Sequence, residues 1–146
     1  MAKKKKAIED LIAVMARLRA PDGCPWDQEQ NHKSIRLNAI EEVYELVDAI
    51  EADDDTEMAE ELGDVLLQVV FHAQMAKERG AFNFEEVARG IADKLVRRHP
   101  HVFGDVDVKN VDDVWRQWEK IKLTERRAPI VNALLLLMVS LGICRR

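Results

Sequence analysis

The 24 residues from Glu41 to Asp64 carry twelve acidic side chains and no basic one. Two compact clusters lie within them, Glu41-Glu42-Val43-Tyr44-Glu45 and Glu61-Leu62-Gly63-Asp64. Like charges at neighbouring helix positions cost stability. A chain that folds with this block intact therefore needs a compensating charge, and a bound hard cation is the natural candidate. The net charge of −5 hides a split, because the residues outside the block hold 22 basic side chains against 15 acidic ones. Such segregation implies an acidic site and a separate basic one. It argues against a general nucleic-acid binder, which would show a basic face without the acidic block.

A length of 146 residues suits one compact domain, and 47% hydrophobic residues suffice for a core beneath a charged surface. The first helix is expected from Ala7 to Arg19, where Ile8, Leu11, Ile12, Met15 and Leu18 recur at helical spacing. Pro21-Asp22-Gly23-Cys24-Pro25 breaks it, and a loop is expected through Trp26-Asp27-Gln28 to about His32. A second helix is predicted from about Ser34 to Ala52, burying Ile40, Val43, Leu46, Val47 and Ile50. Asp53-Asp54-Asp55-Thr56 reads as a turn that caps a third helix. This helix, from about Glu57 to Arg79, turns Leu62, Val65, Leu66, Val69, Val70 and Ala73 inward. Gly80 suits the position just past a helix end. Asn83 with Glu86 resembles a capping box opening a fourth helix that ends before Pro100. A fifth helix is expected from about Val111 to Arg126. Because no stretch alternates convincingly with period two, the chain reads as all-α, a bundle of about five helices around the hairpin of the second and third.

Cys24 and Cys144 form no CxxC pair and no zinc spacing, so reduced thiols in a cytoplasmic protein are expected. The basic start, Met1 to Lys6, precedes an amphipathic stretch and lacks the apolar core of a signal peptide. The organisation expected is a domain over residues 1–127 and an atypical apolar tail over 128–146. The tail is shorter than a comfortable bilayer span. It reads as a leucine-rich helix packing on the bundle or on a second subunit; a membrane anchor and an accident of a truncated reading frame are the alternatives.

The hairpin gives the carboxylates a common location. Residues three or four apart share a helix face, which pairs Glu42 with Glu45, Glu41 with Glu45, and Glu61 with Asp64. Glu45 lies nine residues before Asp54 and Glu61 seven after it, whereas Glu42 lies twelve before and Asp64 ten after. At about 1.5 Å per residue, each cross-helix pair is matched in height to within about 3 Å. Four carboxylates so close cannot all stay ionised without a counter-charge. The all-oxygen donor set favours Mg²⁺ or Mn²⁺. Iron is disfavoured because Glu29 with His32 is the single Glu-x-x-His match. Magnesium usually completes its shell with waters and substrate phosphates, so a phosphate-bearing ligand is expected.

The basic complement lies further on. Lys94, Arg97 and Arg98 fall on the fourth helix, and arginine grips phosphate through paired donors. Trp118 and Lys122 share a face of the fifth helix, where an indole and an ammonium suit a base and a phosphate. Trp26 is either a stacking surface or a packing residue. The histidines are read as structural.

Glu41-Glu42-x-x-Glu45 followed by Glu61-x-x-Asp64 resembles the signature of the MazG-like nucleoside triphosphate pyrophosphohydrolases. The flanking segments Gly23-Cys24-Pro25-Trp26-Asp27, Glu61 to Phe71 and Lys94 to Phe103 agree, and the likeness covers roughly residues 7–126. The resemblance implies an all-α, Mg²⁺-dependent enzyme, with Mn²⁺ a possible substitute, that cleaves nucleoside triphosphates to monophosphate and pyrophosphate, with nucleotide-pool house-cleaning as its role. It implies Glu42, Glu45, Glu61 and Asp64 as metal ligands, with Glu41 a supporting acid or the base for the attacking water and Glu45 also catalytic. Lys94, Arg98, Trp118 and Lys122 are the implied substrate contacts, and Trp26 and Arg97 join them as candidates read from the residues themselves. Family members assemble as dimers or higher oligomers, so a homo-oligomer that binds no nucleic acid and no membrane is expected. Longer members carry two copies of the domain; the single copy here, and a sequence after about Arg127 unlike their linker, fit a shortened or frameshifted product. A catalytically weak nucleotide-binding or regulatory module is the alternative reading, and a purely structural oligomerisation bundle the third.

Overall fold

A computed structural model describes residues 6–125; the expected apolar tail, with Cys144, lies outside them. Seven helices follow in order among the described residues: α1 (Ala7–Leu18), α2 (Pro25–Glu29), α3 (Asn38–Glu51), α4 (Asp55–Glu78), α5 (Phe84–Arg98), α6 (Pro100–Phe103) and α7 (Val111–Thr124). There is no strand among them, and the fold is all-α as expected. No helix of the described residues is long and apolar enough to cross a membrane. The chain divides after Gly90 into two compact units.

In the first unit, α4 packs against both α1 and α3. The core is Met15 of α1, Ile35 of the α2–α3 connection, and Val70, Phe71 and Met75 of α4, bordered by Ile8, Leu11, Ile12, Leu18, Leu67 and Phe84. The α3–α4 turn is three residues long. Asp53 adopts a left-handed φ of 53°, which Asp tolerates better than bulkier residues. Asp54 then caps α4, accepting from the amides of Thr56 at 2.9 Å and Glu57 at 3.1 Å. The capping box at α5 forms reciprocally: the Asn83 amide donates to Glu86 at 2.8 Å and the Glu86 amide to Asn83 Oδ1 at 3.1 Å. Gly80, at φ 69°, closes the end of α4.

The short helices α2 and α6 replace the loops expected there, giving seven helices rather than about five. Each begins on a proline, which breaks a helix from within but suits its first turn. The second predicted helix starts at Asn38 rather than about Ser34. The Asn31 side chain accepts from the Lys33 and Ser34 amides, and the Ser34 hydroxyl donates back to Gln30, so local turns capture this segment. Arg19 fixes α2 in place. Its guanidinium, over the Phe71 ring at 5.5 Å, grips the Glu78 carboxylate at 2.7–3.0 Å and donates to the carbonyls of Asp27 and Gln30. Gly23 is required by closeness: a Cβ there would lie 2.2 Å from the Leu18 carbonyl oxygen.

The expected inward stripe of α3 and the first half of α4 is a correction. Ile40, Val43, Val47, Ile50, Leu62, Leu66 and Val69 are exposed, and Leu46 and Val65 are half-buried. Periodicity had placed these residues on common faces, but among the described residues of the first unit no layer covers them.

Candidate active site

The height-matched hairpin brings acids from two helices together. Glu42 and Glu45 on α3 and Glu61 on α4 each offer a carboxylate oxygen, and the three oxygens lie within 4.8 Å of one another. Asp64, one turn beyond Glu61, stands outside that trio, yet its charge acts on both Glu42 and Glu61. Glu41 is exposed on α3, also outside the trio.

Burial, then the charges of Asp64 and Glu45, push the Glu42 carboxyl above the usual carboxylate range; Gln68 pulls the other way by donating at 3.3 Å. Glu61 is raised by burial and then by Glu45, Asp64, Glu42 and Glu60. Its Oε2 is buried without a hydrogen-bond partner. An orphaned acceptor on Glu61, in an all-oxygen cluster where Glu42 and Glu61 both resist ionisation, calls for a counter-charge. The residues present fit a hard divalent cation.

Gln68, which sequence reasoning missed, ties Glu42 to α4 one turn beyond Asp64. Its place four residues after Asp64, on the carboxylate face, was the available signal. Further along α4, His72 meets His32 from the α2–α3 connection. Their Nδ1 atoms are 2.8 Å apart and their rings are stacked at 5.1 Å. Burial and the neighbouring His32 hold the His72 imidazole below its ordinary pKa. Trp26, on α2, exposes 57% of its surface and tilts over Phe71 at 6.5 Å, so one face of the indole is free to stack.

In the second unit, Trp118 of α7 gathers cations. Lys122 Nζ lies 4.7 Å and the Arg98 guanidinium 5.7 Å from its ring, and Trp115 packs against it edge-on. Arg97 and Arg98 both bond Glu125, a residue without sequence signal. Lys94 is half-buried on α5 and forms no ion pair among the described residues.

Residues 30–103 match the MazG nucleotide pyrophosphohydrolase domain family. The chain belongs to that family. The chain is 54% identical over 118 residues to the nucleoside triphosphate pyrophosphohydrolase/pyrophosphatase MazG of Thermotoga maritima, covering 81% of this chain and 45% of that protein. It is 50% identical over 120 residues to the nucleoside triphosphate pyrophosphohydrolase of Escherichia coli K12, covering 82% and 46%. The chain thus spans under half the length of these curated relatives. The MazG fold is seen again in the crystal structure of a mazG-related protein from Thermotoga maritima, with a TM-score of 0.64 at 21% identity, covering 78% of this chain and 97% of that one.

Proposed function

We propose that this MazG domain is a Mg²⁺-dependent hydrolase that converts nucleoside triphosphates to nucleoside monophosphate and pyrophosphate in the cytoplasm, where it serves nucleotide-pool house-cleaning. The observation that carries the reading is the convergence of Glu42, Glu45 and Glu61, with an orphaned buried oxygen on Glu61. Glu42, Glu45, Glu61 and Asp64 would hold the cation, with Mn²⁺ a workable substitute. When bound, the cation lowers the pKa of water and screens phosphate charge. Gln68 orients Glu42 through its amide. Glu41, exposed next to the cluster in sequence, suits acceptance of the proton from the attacking water, with Glu45 in support. In the second unit, Arg97, Arg98 and Lys122 suit the negative charge that gathers on a leaving pyrophosphate. Lys94 adds a further cation; the face of Trp118 in the second unit and, separately, that of Trp26 in the first each suit a base.

A homodimer belongs to the same reading. The exposed apolar faces of α3 and α4 surround a recess of about 370 Å³ lined by Ala39, Val43, Val65, Val69, Phe82 and Val87. An apolar patch of this kind calls for a partner, and a second copy would complete the bundle.

The test is an assay of the full chain with each ribo- and deoxyribonucleoside triphosphate and Mg²⁺, measuring monophosphate and pyrophosphate. Release of both, abolished by Glu42→Gln, is expected. Turnover that survives Glu42→Gln would remove the carboxylates from the chemistry. Nucleotide binding without pyrophosphate release would leave a binding module.

A further inference from the structure

The second unit contains a carboxylate, Glu125, that the proposed chemistry does not use. Arg97 and Arg98, at the end of α5, both close on Glu125, which follows α7. Arg97 Nε donates to Glu125 Oε1 at 2.5 Å, and Arg98 donates to Oε2 through Nε at 2.8 Å and Nη2 at 2.7 Å. One carboxylate thus bridges two guanidinium groups with both of its oxygens, as two oxygens of a phosphate group would. Arg98 and Glu125 are 18% and 19% exposed in their side chains, so the contact is shielded rather than a loose surface pair. Lys122 joins the cluster through Trp118, which makes three positive charges against one negative charge. The cluster retains capacity for a more highly charged anion. The indole Nε1 of Trp118 is buried without an acceptor, and oxygen is the acceptor it lacks.

We propose that Glu125 is a tethered competitor of phosphate groups, holding the Arg97–Arg98 fork and yielding it to the pyrophosphate moiety of a ligand. The inference rests on the reading of these cations as phosphate contacts. The two arginines hold the Glu125 carboxyl below its usual range, so it is ionised and competes at neutral pH. A tethered competitor lowers affinity by the fraction of time the fork is open. It therefore weakens retention of the product while keeping the guanidinium groups oriented. The return of Glu125 to the fork as pyrophosphate departs is the benefit to turnover.

The experiment is calorimetric titration of the full chain with inorganic pyrophosphate in the presence of a chelator, for the parent protein and for Glu125→Gln. A fork open about one-tenth of the time predicts binding about tenfold tighter in the variant. Inhibition of nucleotide turnover by added pyrophosphate should tighten in parallel. Glu125→Asp, which keeps the charge but is one methylene shorter, should lie between the two proteins, and it carries the test if Glu125→Gln fails to fold by circular dichroism. Equal or weaker pyrophosphate binding in both variants, or no binding by any of the proteins, overturns the proposal. If the variants bind more tightly while the parent releases no pyrophosphate from nucleotides, the competitor stands and the hydrolase reading falls. If the parent turns over and the variants bind no more tightly, the reverse holds.

Discussion

Between Val70 and Ala76, α4 buries Val70, Phe71, Ala73, Met75 and Ala76 in a core shared with α1. Between Asp55 and Val69 the same helix fully buries nothing, and with α3 it presents exposed aliphatic side chains beside the carboxylates. The first region is what folding requires: apolar side chains already satisfied within the chain. The second carries two unmet demands, an uncompensated negative cluster and an uncovered apolar face. Unmet demands in an otherwise consistent fold are where function is expected to lie.

The contrast is broken most severely from the core side. Phe71→Ala removes a buried ring that also underlies Arg19 and Trp26, and is expected to cost about 3–5 kcal/mol in denaturant unfolding. In the other half, Glu42→Gln should lower turnover by roughly 100-fold or more, since even partners one bond removed from a metal ligand commonly cost 10–100-fold. The same variant should melt no lower than the parent in chelator, because it relieves repulsion rather than packing. Val47→Asp tests the apolar face. It should weaken self-association by about thirtyfold or more in sedimentation equilibrium, with circular dichroism at low protein concentration unchanged. Gln68→Ala should cost about tenfold in Mg²⁺ affinity, read by titration, with nucleotide specificity unchanged.

The smallest effect is a pH slope at the border of the two regions. His72 binds its proton less readily in the folded chain than its ordinary value of 6.5. The unfolded chain therefore takes up a proton first, and stability falls as the pH drops below about 6.5 and is recovered above it. Unfolding midpoints at several pH values should show a shallower acid slope for His72→Asn than for the parent protein. An unchanged slope would mean that the stacked pair with His32 carries no such linkage.

Much of this contrast was legible in the sequence, but not all. The five long helices follow from periodicity and from caps with a definite chemistry, Asp54 at α4 and the Asn83–Glu86 box at α5. The cross-helix meeting of Glu42, Glu45 and Glu61 follows from counting residues on either side of one turn. Periodicity shows which residues share a face, not what lies opposite, so Ile40, Val43, Val47 and Ile50 were assigned to a core that the described residues of the first unit do not supply. Prolines mark both ends and beginnings, so α2 and α6 were read as loops. Contacts such as His32 with His72, or Arg98 with Glu125, join residues 40 and 27 positions apart, and no local pattern announces them.

The three-residue turn at Ala52, Asp53 and Asp54 acts as a gauge for the chemistry. It sets how far each helix runs before its acids come level, and Asp53 already spends the one unusual backbone torsion that so short a reversal needs. A residue added there and taken up into the start of α4 would slide the following residues by about 1.5 Å and rotate them by roughly 100° relative to α3. The carboxylates some eight residues away would then be parted without any of them being altered. Variation in that reversal is thus constrained by a cluster it never touches.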